Sequence, residues 1–298
     1  MLGWLHALPD ELLRCRPVLS MHYAGTLLQG GRLEGVETRL RDAERWLKPQ
    51  ADMDEMVVID EEEFRSLAGS INMYRAAIAL ISDNLTATMK HARQVLDLVP
   101  EDDHLRQGAA AGLLGLAYWR IGDLEAAHQS YVDCMVRLQK IGFTSDAMGC
   151  AIALADMRIV QGRLYDALRT FKQALQVATD HGTSALRGMA DMYVGMSEIE
   201  RERNNLSAAA QHLIKSSELG SFAGLPQNPY RRCLATARMR AIEGDLEGAL
   251  DLLAEAERLY LGDFSPNVRP VAAFRARVWI AQGRLNEAFG WAHEQNLF

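Results

Sequence analysis

The chain has 298 residues, 49% hydrophobic but only 7% aromatic, and a formal net charge of −7. That charge disfavours a surface that itself grips nucleic acid or an anionic membrane. No apolar run approaches the ~20 residues needed to span a bilayer, and no signal peptide precedes Gly3. The unpaired spacing of Cys15, Cys134, Cys150 and Cys233 reads as reduced thiols in a cytoplasm.

In chain order, residues 1–16 read as the remnant of a helical unit, with Pro9 or Asp10 starting a short helix. Helices are expected near 18–30 and 33–47. The segment 49–62 interrupts them with an acidic insertion: Asp52, Asp54, Glu55, Asp60, Glu61, Glu62 and Glu63 are seven acids within twelve residues. A calcium loop would require a Gly at its sixth position, which is missing, so this reads as a solvated loop entering a helix N-terminus. Helical pairs then follow at 62–81 with 85–98, 103–121 with 124–141, and 144–161 with 164–181. The last are 183–203 with 206–222, 227–243 with 246–261, and 266–282 with 285–294. Breakers mark the joints at Pro100, Gly142, Gly182, Pro226 with Pro229, and Pro266 with Pro270. No linker composition appears, so one domain over 1–298 is expected. A start within a unit and a last helix without a polar capping unit suggest further chain on either side.

Within these pairs one phrase recurs. Gly122–Ala127 is G-D-L-E-A-A, Gly162–Ala167 is G-R-L-Y-D-A, Gly244–Ala249 is G-D-L-E-G-A and Gly283–Ala288 is G-R-L-N-E-A. Looser copies begin at Gly31, Asp83 and Asn204. Leu33, Leu85, Leu124, Leu164, Leu206, Leu246 and Leu285 are separated by 52, 39, 40, 42, 40 and 39 residues. A period of this length is the mark of a solenoid. Gly, Asn or Asp would end the first helix in a left-handed cap, and Leu would open the second. Seven residues before each turn stands a small residue: Ala24, Ala76, Gly115, Ala155, Ser197, Ala237 and Ala276. Three after each Leu stand Val36, Thr88, Ala127, Ala167, Ala209, Ala249 and Ala288. Small residues on both helices let their axes approach closely.

Gly115, Tyr118, Ala127 and Tyr131 fall on the small and aromatic positions of the tetratricopeptide (TPR) pattern. The standard TPR period is about 34 residues and the HEAT period about 40–47. The expected fold is therefore all-α, a right-handed superhelix of about seven TPR-like hairpins with lengthened helices; HEAT is the alternative.

Three stretches carry a closer resemblance: GWLHALPDELLRCRPVLSMHYAGTLLQGGRLEGVETRLRDAERWL, MVVIDEEEFRSLAGSINMYRAAIAL and GLPQNPYRRCLATARMRAIEGDLEGALDLLAEAERLY. They resemble the MalT-like helical-repeat region of the large ATP-binding LuxR-type transcription regulators of bacteria. The resemblance implies a sensor that receives an inducer or partner protein and relays it to an ATPase module and a helix-turn-helix module. Neither module is expected within residues 1–298: they hold no G-x-x-x-x-G-K-[ST] string, and the helical repeats run to the last residue without a helix-turn-helix. ATP is accordingly expected only in the family's N-terminal module, with no cofactor in this chain.

The eight histidines form no metal spacing, and no G-x-S-x-G elbow occurs, so no catalytic or metal site is expected. In TPR superhelices the first helix of each pair lines the concave face. That places Met21, Gly25, Leu28, Met73, Ala77, Leu80, Gly112, Leu116 and Trp119 inward in the early units. In the later units it places Ile152, Asp156, Ile159, Val194, Glu198, Arg201, Leu234, Arg238 and Arg277 there. Met21, Met73 and Trp119 would hold an apolar partner face, with packing as the alternative for Trp119. Asp156, Glu198, Arg201, Arg238 and Arg277 would recognise charge or merely pair across repeats. A sensor segment is the expected function. A free-standing TPR adaptor for a peptide or partner helix, and a self-associating scaffold, are the alternatives.

Overall fold

The computed structural model describes residues 2–48, 55–180, 186–260 and 270–297. It is all-α, with no strand among these residues. Two compact units are formed, Met1–Gly142 and Phe143–Phe298. Each is built of TPR-like hairpins.

In the first unit α1 (Leu2–His6) and α2 (Asp10–Arg14) precede the hairpin α3 (Pro17–Gln29) and α4 (Val36–Glu44). Then come α5 (Glu61–Arg65), α6 (Leu67–Ile81) with α7 (Leu85–Leu98), and α8 (His104–Arg120) with α9 (Leu124–Lys140). Leu5 and Leu13, from the two short helices, join Met21, Ala24, Val36, Leu40 and Ile71 in one core. Trp46 ties the end of the first hairpin back to α2 by donating its indole N–H to Arg14 O at 2.7 Å. Asp60 caps α5 by accepting the Glu63 N–H at 3.0 Å, and Val57 N–H reaches Cys15 O at 2.8 Å. The acidic segment thus does lead into a helix N-terminus, although 49–54 lie outside the described residues.

In the second unit the hairpins are α10 (Thr144–Val160) with α11 (Leu164–Asp180), and α12 (Met189–Glu202) with α13 (Leu206–Leu219). They are followed by α14 (Asn228–Ile242) with α15 (Leu246–Leu259), and α16 (Val271–Ala281) with α17 (Leu285–Glu294). All four cysteines are free thiols.

The recurrent phrase works through its backbone. Gly31, Gly122, Gly162, Gly244 and Gly283 have φ between +71° and +89°, and Asp83 and Asn204 take +55° and +59°. All seven occupy the turn position, where glycine is cheapest and Asn or Asp is tolerated. At Gly122 the N–H bonds Trp119 O and the next N–H bonds Tyr118 O, closing the end of α8. The polar residue that follows does more than fill the turn. Asp123 accepts the Ala126 N–H at 3.1 Å and Asp245 accepts the Gly248 N–H at 2.9 Å, so these two aspartates N-cap the next helix, whereas Arg284 makes no side-chain cap.

Burial assigns the packing to the small residues. Ala24, Ala76, Ala155, Val36, Thr88, Ala127, Ala167, Ala209 and Ala249 are fully enclosed, and Gly115, Ser197, Ala237, Ala276 and Ala288 are buried. The leucines between them are half-exposed helix starters, and Leu33 and Leu285 are exposed.

Several boundaries differ from expectation. The second helix begins at Val36 rather than residue 33, because Gly35 has φ +82° just before it. The helix expected over 62–81 breaks at Ser66 into α5 and α6. The helix expected from 183 begins at Met189: Gly188 has φ +102° and gives its N–H to Ala223 O at 2.8 Å. The helix expected over 266–282 begins at Val271, after Pro270, with 266–269 outside the described residues, and the one expected over 206–222 ends at Leu219.

Candidate binding pocket in the second unit

Part of the early, apolar set is drawn into the interior of the first unit. Met21 and Trp119 are buried, at 2% and 5% exposure. Trp119 stands edge-on to Tyr131 of its own hairpin, with ring centroids 6.5 Å apart. Met73 packs against Val95, Val99 and Ala110, and Gly25 lies beneath the Tyr74 hydroxyl. These side chains hold helices together and offer little surface to a partner. Leu28, Met73, Ala77, Gly112 and Leu116 stay half-exposed, whereas Met21, Gly25, Leu80 and Trp119 are covered by neighbouring packing.

The later, charged set is partly gathered. On α12, Arg201 bonds Glu198 at 3.3 Å and Glu202 at 2.6 Å. On α14, Arg238 pairs with Glu198 and, at 3.3 Å, with Glu202, so both arginines share both carboxylates. The guanidinium of Arg238 lies over the Phe274 ring, 4.5 Å from its centroid. Arg277 of α16 is exposed and makes no ion pair among the described residues. Together Arg201, Arg238 and Arg277 border a pocket of ≈ 210 Å³ whose wall is apolar: Ala241, Leu253, Phe274, Val278 and Ala281.

Asp156 is not in this pocket. It faces Arg231 at 3.7 Å and belongs to a second polar cluster around Asp191. Asp191 is 2% exposed, and its Oδ2 accepts the Leu225 N–H at 2.8 Å, holding the chain between α13 and α14 against α12. Burial pushes the Asp191 carboxyl up to about 6, against the downward pull of the Leu225 N–H, Arg231 and Asn228.

Sequence reasoning missed Phe274, Arg231 and Asp191. Phe274 stands three residues before Arg277, hence on the same helix face. Asp191 is an acid inside the apolar run Met189–Met192, a signal that was present but unread. Arg231 had no local signal, since its partner Asp156 lies two hairpins earlier.

Among the described residues, no group of three or more His, Cys, Asp or Glu side chains is placed to hold a metal ion. No described helix is long and apolar enough to cross a membrane.

The model of the MalT-like TPR region matches residues 69–297. The chain belongs to that family. Comparison of this MalT-like TPR region with curated proteins gives no match. Among solved structures it is similar to the apo form of RapI, with TM-score 0.65 and 10% identity over 93% of this chain and 95% of that one. A signal transduction ATPase with numerous domains and a TPR sensor, PH0952 from Pyrococcus horikoshii, has TM-score 0.60 and 16% identity. There the match covers 94% of this chain but 41% of that one. The Rap conjugation gene regulator of plasmid pLS20, in complex with the Phr* peptide, has TM-score 0.58 and 13% identity, covering 95% and 86%. At such identities the likeness is one of fold.

Proposed function

We propose that this MalT-like TPR region is the receiving segment of a LuxR-type transcription regulator. It binds an inducer or a partner peptide and passes the binding energy to ATPase and DNA-binding modules. ATP belongs to the ATPase module, and the repeats themselves carry no chemistry. The observation that supports this reading is the Arg201–Arg238–Arg277 pocket. Three arginines and an aromatic ring border an apolar wall, the usual make-up of a ligand site: an apolar body with a few convergent polar groups. The ATPase architecture of PH0952, with its TPR sensor, supports the first part of the reading. The peptide bound to the pLS20 Rap regulator supports a peptide as one kind of ligand.

A thermal-shift screen of this chain against small metabolites and short peptides tests the proposal. Ligand binding raises stability by RT ln(1 + [L]/Kd), about 2.7 kcal/mol at a hundredfold excess over Kd. Hits that stabilise the chain and are lost in the Arg238→Ala/Arg277→Ala double variant support the assignment. Hits that persist in the folded double variant move the site elsewhere, and a screen without hits argues for a scaffold instead.

A further inference from the structure

The first helices of the second unit carry a ladder of charge. Asp156, Glu198, Arg238 and Arg277 each follow directly after the small residue of their helix, Ala155, Ser197, Ala237 and Ala276. Asp156 is met by Arg231, and Glu198 by Arg238 and Arg201. Arg277 is the last rung, and the neighbouring rung, Arg238, has the same sign. Beside the pocket the guanidiniums of Arg201 and Arg238 share two carboxylates, Glu198 and Glu202. Arg277, beside them, has no ion pair among the described residues.

Everything else at the pocket is apolar: Ala237, Ala241, Ile242, Leu246, Leu253, Phe274, with Val278 and Ala281. Its ≈ 210 Å³ is less than the ~300–1,000 Å³ of sites for drug-sized ligands. A planar guanidinium with donors to spare is matched by a carboxylate, which it can grip with two parallel hydrogen bonds. A second negative charge on the ligand would meet Glu198 and Glu202 and be repelled. These constraints admit one anionic group on a short apolar body.

We propose that the pocket binds a small monocarboxylic acid, its carboxylate on Arg277 and its apolar part against Phe274, Val278 and Ala281. This rests on the receiving role proposed above and names the ligand class for it. The Phe274 ring is held in place by Arg238, which is in turn held by Glu198 and Glu202. The apolar wall is thereby preorganised before the ligand arrives.

Isothermal titration of this chain with hexanoate, 1-hexanol, hexylamine and the tripeptide Gly-Gly-Leu tests it, with Arg277→Gln and Arg277→Lys as variants. Hexanoate is expected to bind at least tenfold more tightly than hexanol, and hexylamine not at all. Arg277→Gln should weaken hexanoate by tenfold or more while leaving hexanol unchanged, and Arg277→Lys should keep part of the preference. Because Arg277 is exposed, both variants should melt where the parent does, which separates lost binding from lost folding. Equal affinity for hexanoate and hexanol, or an Arg277→Gln variant that binds hexanoate as the parent does, overturns the proposal. Binding of Gly-Gly-Leu without hexanoate also overturns it, in favour of a peptide end. In that case, peptide hits lost in the double arginine variant would still uphold the receiving role.

Discussion

Gly115 and Tyr131 meet inside the α8–α9 hairpin so closely that a Cβ on Gly115 would lie 2.6 Å from Tyr131 Cδ2 and 2.8 Å from Cε2. The ring has little room to yield, since it is 7% exposed and Trp119 stands edge-on to it. Gly115→Ala should therefore overpack the hairpin and cost about 1–3 kcal/mol, read as a lower urea midpoint at unchanged slope. A variant as stable as the parent would mean that the helices separate without penalty.

The turns predict a pair of opposite effects. Gly122 has φ +86°, so Gly122→Ala places a Cβ in the left-handed region and should cost about 1–2 kcal/mol. Asn204 stands at the equivalent position with φ +59°, and Asn204→Gly should raise the melting temperature slightly. If both substitutions lower it, side-chain contacts rather than backbone conformation govern these turns.

Capping is tested at Asp123. Its carboxylate accepts the Ala126 N–H at 3.1 Å, and the residue is exposed, so Asp123→Ala removes little else. The expected cost is about 0.5–2 kcal/mol, with Asp123→Asn or Asp123→Ser retaining most of the stability. Equal losses in all three variants would assign the effect to charge instead.

Asp191 predicts a pH dependence. Its folded value of about 6 lies above the 3.8 of an unperturbed aspartate, so the protonated form is the one the fold favours. That favour is fully present below pH ~4 and is lost as pH rises through about 6; a shift of this size corresponds to roughly 3 kcal/mol. Asp191→Asn carries no such titration, and its amide oxygen can still accept the Leu225 N–H. The melting temperature of Asp191→Asn minus that of the parent should therefore grow between pH 4 and pH 7. A difference that is flat over that range would mean that water reaches Asp191 and relieves its burial.

The same folded shift bears on the joint between α13 and α14. Leu225 N–H is tied to Asp191, and Gly188 N–H to Ala223 O, so two bonds hold this joint to α12. Hydrogen exchange at Leu225 should quicken in Asp191→Ala but not in Asp191→Asn. Equal exchange in both variants would assign the order of the joint to packing around Ala223.

Much of the fold was legible before any coordinates, because a repeat writes its geometry in short-range positions. The start of α7, α9, α11, α13, α15 and α17 falls on the leucine of each phrase, and the positive φ on the residue two before it. The small residues at fixed offsets are enclosed because helices of one hairpin meet through them. A helix start, a left-handed cap and a close approach are each decided by residues within one hairpin, and a sequence displays these side by side. The pairing partners were not legible in that way. Whether Met21 faces solvent or Leu40, and whether Arg238 faces a ligand or Glu198 forty residues earlier, depends on how successive hairpins rotate against each other. That rotation is set by the summed packing of whole helix faces, so only the tertiary structure drew Met21 and Trp119 into the core. It also brought Phe274 beneath Arg238 and left Arg277 as the unanswered charge.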